Sequence, residues 1–258
     1  MKKPVFHIIG ALIISLILIS TGLAYVLSAE QMLGPFLQMC RGFHTVKIGI
    51  ETTIFDVPDG KAEVREQLVI QQGGQFRAER IFPYGENILI QDGRRSVVMG
   101  VQTSNSGARR IDTVFPTIFF QKSLVDLLNA LNFLGVDTRS VGIDRIERKQ
   151  VFAIGNSLDQ VPGSRLWIER ERGLPLRFIG VGIAGKKTTV LRAEYTEYRQ
   201  VGKDMWLPGK IEYYRDDVLW VVSLLHDISL NEDLPATLFR IPSGENSSPV
   251  IDFLNIKE

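Results

Sequence analysis

From Val46 the chain alternates. Val46, Ile48, Ile50 and Ile54 fall on one side of a two-residue period, and Lys47, Glu51 and Thr53 on the other. That pattern belongs to a strand with one buried face. Pro58-Asp59-Gly60 turns the chain, and Val64, Glu66, Leu68 and Ile70 mark the next strand. Gln71-Gln72-Gly73-Gly74 turns it again, after which Phe76, Ala78 and Phe82 alternate with Arg77, Glu79 and Ile81. Pro83-Tyr84-Gly85 and Asp92-Gly93 bracket a strand over 87–91, and its return covers 95–102; Asp-Gly between apolar runs is a hairpin signal.

The period then changes. After a polar loop over 104–110, Phe120, Leu124, Leu127, Leu128, Leu131 and Leu134 recur at helical spacing. They predict one amphipathic helix over 118–134, ended by Gly135. A brief helix is also expected over 30–41, shortened by Gly34-Pro35. Period-two patterns return over 141–148, 150–155, 164–169, 176–181, 188–199, 206–214 and 218–228. The pattern amounts to about ten strands joined by short turns, hence antiparallel. The fold class expected is α+β, mainly β, with a single domain over 30–253 and a short tail over 254–258.

Several strands are apolar on both faces, among them 87–90, 96–101 and 219–225. One helix cannot cover ten strands. The surplus apolar face must curl upon itself, meet a partner or meet a ligand. A curled sheet with a helix across its mouth achieves the first and the last together.

The N-terminus changes the setting. Met1-Lys2-Lys3 precedes an almost wholly apolar run, Val5 to Leu27. This is a basic start followed by a hydrophobic segment, long enough for a membrane span of roughly 20 residues. Residues 1–29 therefore read either as a cleaved signal peptide or as an N-terminal membrane anchor with residues 5–27 spanning. Gly22-Leu23-Ala24 and Leu27-Ser28-Ala29 are the two candidate cleavage points. In both cases the remainder is exported, and a periplasmic location is expected.

Composition narrows the chemistry. Thirty Lys and Arg against 29 Asp and Glu give a net charge of +1, which makes no electrostatic case for nucleic acid. The single cysteine, Cys40, has no internal disulfide partner, and reads as a small buried hydrophobe. His44 and His226 are isolated, so no metal site is expected. Asp216-Asp217 and Asn231-Glu232-Asp233 read as turns, and no nucleophile elbow is present. The chain reads as a non-enzyme without cofactor.

Four stretches taken in order carry a resemblance. They are 64–74 with Phe76-Arg77; 88–95 with its Asp92-Gly93 hairpin; Leu166-Trp167-Ile168-Glu169 leading to Gly173-Leu174-Pro175-Leu176-Arg177; and Asp227-Ile228 through Leu234-Pro235 to Leu238-Phe239-Arg240-Ile241-Pro242. Their order resembles the LolA/LolB-like outer-membrane lipoprotein-sorting superfamily, in its broad branch apart from the authentic carriers. The resemblance implies a curved, unclosed antiparallel half-barrel with a helical lid over an apolar cavity. It implies acyl chains of a lipoprotein or lipid as ligand, with inner- or outer-membrane sorting components as further partners. The basic residue and Pro of authentic carriers are absent at Gln71-Gln72-Gly73, so the carrier's arginine role is not transferred.

Strand parity and this resemblance nominate the cavity lining: Phe76, Ile88, Ile90, Val98, Trp167, Phe178, Tyr195, Tyr213 and Trp220. The helix face of Leu124, Leu127, Leu128 and Leu131 is nominated as the lid. The alternative is a membrane-tethered envelope interaction or signalling module whose apolar face meets a protein.

Overall fold

A computed structural model of the chain describes residues 27–55, 60–92, 95–100, 108–156, 163–184, 187–242 and 248–249. The leader over 5–27, the loop over 104–107 and the end of the tail fall outside them, apart from Leu27. Among the described residues, no helix is long and apolar enough to cross a membrane.

Among the described residues fifteen strands form: β1 (Thr45–Ile54), β2 (Ala62–Gln71), β3 (Gln75–Phe82), β4 (Gly85–Asp92), β5 (Arg95–Gly100), β6 (Val141–Ile146), β7 (Lys149–Ile154), β8 (Arg165–Glu169), β9 (Pro175–Ala184), β10 (Lys187–Thr196), β11 (Arg199–Gly202), β12 (Met205–Leu207), β13 (Lys210–Arg215), β14 (Val218–Leu230) and β15 (Ser248–Pro249). Thirteen of them make one sheet in the order β15-β5-β4-β3-β2-β1-β14-β13-β10-β9-β8-β7-β6. Every strand pairing in it is antiparallel. The sheet does not close, because β6 and β15 are its two ends. It is the expected half-barrel.

The first and last long strands join its two halves. β1 pairs with β14 from Val46↔Leu230 to Ile54↔Val221, with a bulge between Lys47 and Gly49. Asn231 fixes this junction. Its Oδ1 accepts from the His44 amide at 2.9 Å, and its Nδ2 donates to the Gly42 carbonyl at 3.0 Å. It does so with φ +59, a conformation Asn tolerates better than most residues.

Two strands beyond the segments expected, β11 and a separate β12, have local causes. The run over 206–214 divides into β12 and β13 at Pro208-Gly209, where a Cβ on Gly209 would lie 2.8 Å from the Glu197 carbonyl. Glu197, at φ +54, turns the long run over 188–199 and frees β11 to pair with β12 as a separate hairpin.

Among the described residues, three helices lie against one face of the sheet, rather than the one main helix and one brief helix expected: α1 (Ala29–Cys40), α2 (Ala108–Phe119) and α3 (Leu124–Phe133). The predicted single helix over 118–134 is the end of α2, a non-helical link and α3. Ser123 makes the break. It is extended, and its Oγ accepts from the Asp126 amide at 3.1 Å as the N-cap of α3. Gly135, at φ +80, follows the last turn as expected.

Pro35 does not shorten α1 as the sequence suggested. A mid-helix Pro costs roughly 3 kcal/mol. Here Met32, Leu33, Phe36, Leu37, Met39 and Cys40 are all buried on the same helix. At about 1.5–3 kcal/mol for each large side chain, burial outweighs the lost hydrogen bond. At the helix start, the Ser28 amide donates to Gln31 Oε1 at 3.0 Å.

Candidate ligand-binding face

Alternation along the strands gives the sheet an inner face, under the helices, and an outer one. Inner residues of β1 and β2 are Val46, Ile48 and Ile50 opposite Ile70, Leu68 and Glu66. The inner row continues through Phe76 and Ala78 of β3 to Leu89 of β4 and Val98 of β5. On the other half it runs through Val221 and Leu225 of β14, Ile211 and Tyr213 of β13, Ala193 and Tyr195 of β10 and Phe178 of β9. These residues and the buried faces of α1, α2 and α3 form one apolar core.

The helices meet this face with phenylalanine. Phe119 of α2 lies edge-on to Phe36 of α1 at 5.3 Å between centroids, and to Tyr195 at 5.3 Å. Phe115 packs on Phe119 at 4.9 Å, and Phe120 on Phe43 at 5.4 Å. Offset and edge-on pairs at such distances are favourable beyond the area they bury. The space between helices and sheet is thus occupied by the chain's own rings wherever these residues are described. An acyl chain entering there must displace them.

Ten of the thirteen nominated lining and lid residues sit on this face. Phe76, Phe178, Tyr195, Tyr213 and Trp220 are buried in its core, as are Leu127 and Leu131 of α3. Val98, Leu124 and Leu128 are half-buried and pack against it. Trp220 enters through a bulge, since Tyr213↔Val221 is followed by Tyr214↔Leu219 and Trp220 is left over.

The other three face outward. Ile88 and Ile90 flank inner-facing Leu89. Ile90 is paired with Arg77 and buried on the side crossed by the 3-10 turn Ala236–Phe239; Arg77 Nη1 donates to the Leu238 carbonyl at 3.5 Å. Trp167 belongs to a small outer cluster with Val151, Ala153, Ile179 and Val181. Its Nε1 donates to Asp144 Oδ2 at 2.9 Å, and Arg165 and Arg177 lie 5.1 and 5.9 Å from its ring. Parity misassigned these three because the strands are apolar on both sides.

Sequence reasoning missed Phe36, Phe43, Phe115 and Phe119. Val114-Phe115 and Ile118-Phe119 do recur four residues apart, a helical signal that extends the expected helix toward its true start.

The inner face is not wholly apolar. Arg80 Nε donates to Glu66 Oε2 at 2.7 Å, with side chains only 8% and 11% exposed. Thr52 Oγ1 and Ser223 Oγ are 2.9 Å apart. On this face the buried Tyr195 Oη, Trp220 Nε1 and Gln91 Oε1 have no hydrogen-bond partner among the described residues. Each such atom costs about 1–3 kcal/mol. Burial pushes Tyr195 far above the usual tyrosine range, with the nearby Glu194 charge adding to it. Burial likewise pushes the Cys40 thiol up.

Asp216-Asp217 is a turn as expected, whereas Asn231-Glu232-Asp233 is a bend leading into irregular chain. Asp216 and Asp217 both have positive φ between β13 and β14, and Asp216 Oδ1 accepts from the Val190 amide at 2.9 Å. His226 lies across Gly49, where a Cβ would come within 2.6 Å of its ring. Among the described residues, no three His, Cys, Asp or Glu side chains are grouped to hold a metal ion.

A half-barrel of this kind, with helices across its open face, is the architecture of the LolA superfamily. A LolA superfamily protein from Nitrosomonas europaea matches it over 84% of this chain and 99% of its own, with a TM-score of 0.55 at 15% identity. A domain provisionally described as an outer membrane lipoprotein-sorting protein, from Vibrio parahaemolyticus, matches over 82% and 97% with a TM-score of 0.56 at 10% identity. A DUF1329 family protein from Desulfovibrio piger matches over 83% and 98% with a TM-score of 0.53 at 9% identity. No family model and no curated protein matches the sequence. The chain is LolA-like in fold.

Proposed function

We propose that the protein binds acyl chains of a lipoprotein or lipid between its inner sheet face and its helices, and catalyses no reaction. It acts outside the cytoplasm, released into the periplasm or tethered by residues 5–27. The observation that carries this reading is the construction of the inner face. A broad apolar surface rich in aromatics is covered by three short helices rather than by a second sheet. α2 and α3 are joined only by the link over 120–123 and α1 lies apart from them in the chain, so the helices can withdraw separately, and an acyl chain can take the place of the rings of Phe115, Phe119 and Phe36. Each methylene buried contributes about 0.8 kcal/mol, so two or three long chains offset the loss of ring packing. The fold shared with lipoprotein-sorting domains supports the same reading.

Native mass spectrometry of protein purified without detergent, then delipidated and mixed with a diacylated lipopeptide, tests it. Adducts of one lipopeptide per chain are expected. A protein that stays lipid-free while forming a stable oligomer would favour the interaction module instead.

A further inference from the structure

Two hydrogen-bond donors on the inner face have nothing to donate to. Tyr195 is 1% exposed and Trp220 is 2% exposed. Neither Tyr195 Oη nor Trp220 Nε1 has a partner among the described residues. Both side chains belong to the core beneath the helices, and the Tyr195 ring meets Phe119 of α2. On the same face Arg80 Nε and Thr52 Oγ1 do have partners, in Glu66 and Ser223, while Gln91 Oε1 is an unmatched acceptor. Folded proteins leave few buried polar atoms unmatched, and each asks for a reason. Phenylalanine at 195 would fill the same apolar space without the penalty.

We infer that Tyr195 Oη and Trp220 Nε1 read the linkage of the guest, donating hydrogen bonds to the carbonyl oxygens of ester- or amide-linked acyl chains. The inference rests on the acyl-binding reading above. An indole N–H can only donate, so the guest must supply an acceptor at that point. The Arg215 guanidinium lies over the Trp220 ring at 3.5 Å from its centroid; at Tyr195, against Phe119, a carboxylate would bury a charge, which costs far more than a neutral carbonyl does. The guest that fits is therefore hydrocarbon interrupted by neutral carbonyls, as in an acylated glyceryl or N-acyl group. When the ring of Phe119 withdraws, the Tyr195 hydroxyl gains its missing partner from the ligand, so the same residue disfavours the empty state and favours the loaded one.

The test compares dioleoylglycerol with its dialkyl ether analogue, which has the same chains and headgroup but lacks both carbonyls. Wild-type protein is expected to bind the ester at least about fivefold more tightly, the worth of one net hydrogen bond. Tyr195→Phe should lower that ratio about fivefold by weakening the ester alone, while the melting temperature of the empty protein stays level or rises. Trp220→Phe should lower the ratio in the same direction. Equal affinity of wild type for ester and ether, or loss of both lipids alike in Tyr195→Phe, overturns the inference and leaves acyl binding standing. A wild type that binds neither lipid overturns the acyl-binding reading, and this inference with it.

Discussion

Glu66 is the residue at which the two-residue period of β2 carries a charge inward. It stands between Val64 and Leu68 on the inner parity, opposite Ile50 on one side and Arg80 on the other. A buried ion pair is weak support for stability, yet removing one member is costly. Glu66→Ala should lower unfolding free energy by about 3 kcal/mol in urea titrations. Replacing the pair together, Glu66→Leu with Arg80→Met, should cost less than the single change. A second residue-scale effect is alkaline. Burial raises the folded-state pKa of Cys40, Tyr195 and Tyr198, and desolvation is the largest cause in each. The unfolded chain ionises these groups near their ordinary values, about 8.5 for Cys and about 10 for Tyr. Above those values the native state holds more protons than the unfolded state, so stability falls as pH rises. Thermal unfolding from pH 7 to 10 should show a decline that begins near pH 8.5, and Cys40→Ala should delay it toward pH 10.

At the scale of elements, Asn231 ties the end of β14 to the segment entering β1. Asn231→Ala removes the bonds with the His44 amide and the Gly42 carbonyl. It also places Ala at φ +59. About 1 kcal/mol for each bond and 1–2 for the backbone give a loss of roughly 3 kcal/mol. Asn231→Asp, which keeps the acceptor, should fall between Ala and wild type in the same denaturation curves. Most strands were legible in the sequence, because a half-buried antiparallel strand writes its burial as a two-residue period. β1 and β3 are examples. What the period cannot write is a two-residue strand such as β15, or the face chosen by a strand apolar on both sides. Ile88 and Ile90 were assigned inward for that reason. The helical cover was read as one element because the apolar spacing runs on through the Ser123 cap. Phe119, the ring that touches both Phe36 and Tyr195, lies inside the helix expected over 118–134 but off the apolar face assigned to it.

At the scale of the molecule, the sheet has two faces with different contents. The inner one carries Trp220 under the helices, and the outer one carries Trp167 between Arg165 and Arg177. This division allows the ligand to be located by its distance from each indole. The direct measurement uses two variants, one keeping Trp220 alone (Trp167→Phe with Trp206→Phe) and one keeping Trp167 alone (Trp206→Phe with Trp220→Phe). Each is titrated with a phospholipid brominated along its acyl chains, and tryptophan fluorescence is read. Acyl chains lying between sheet and helices should quench the Trp220 protein and leave the Trp167 protein bright. Lipid binding that quenches Trp167 while sparing Trp220 would contradict the account.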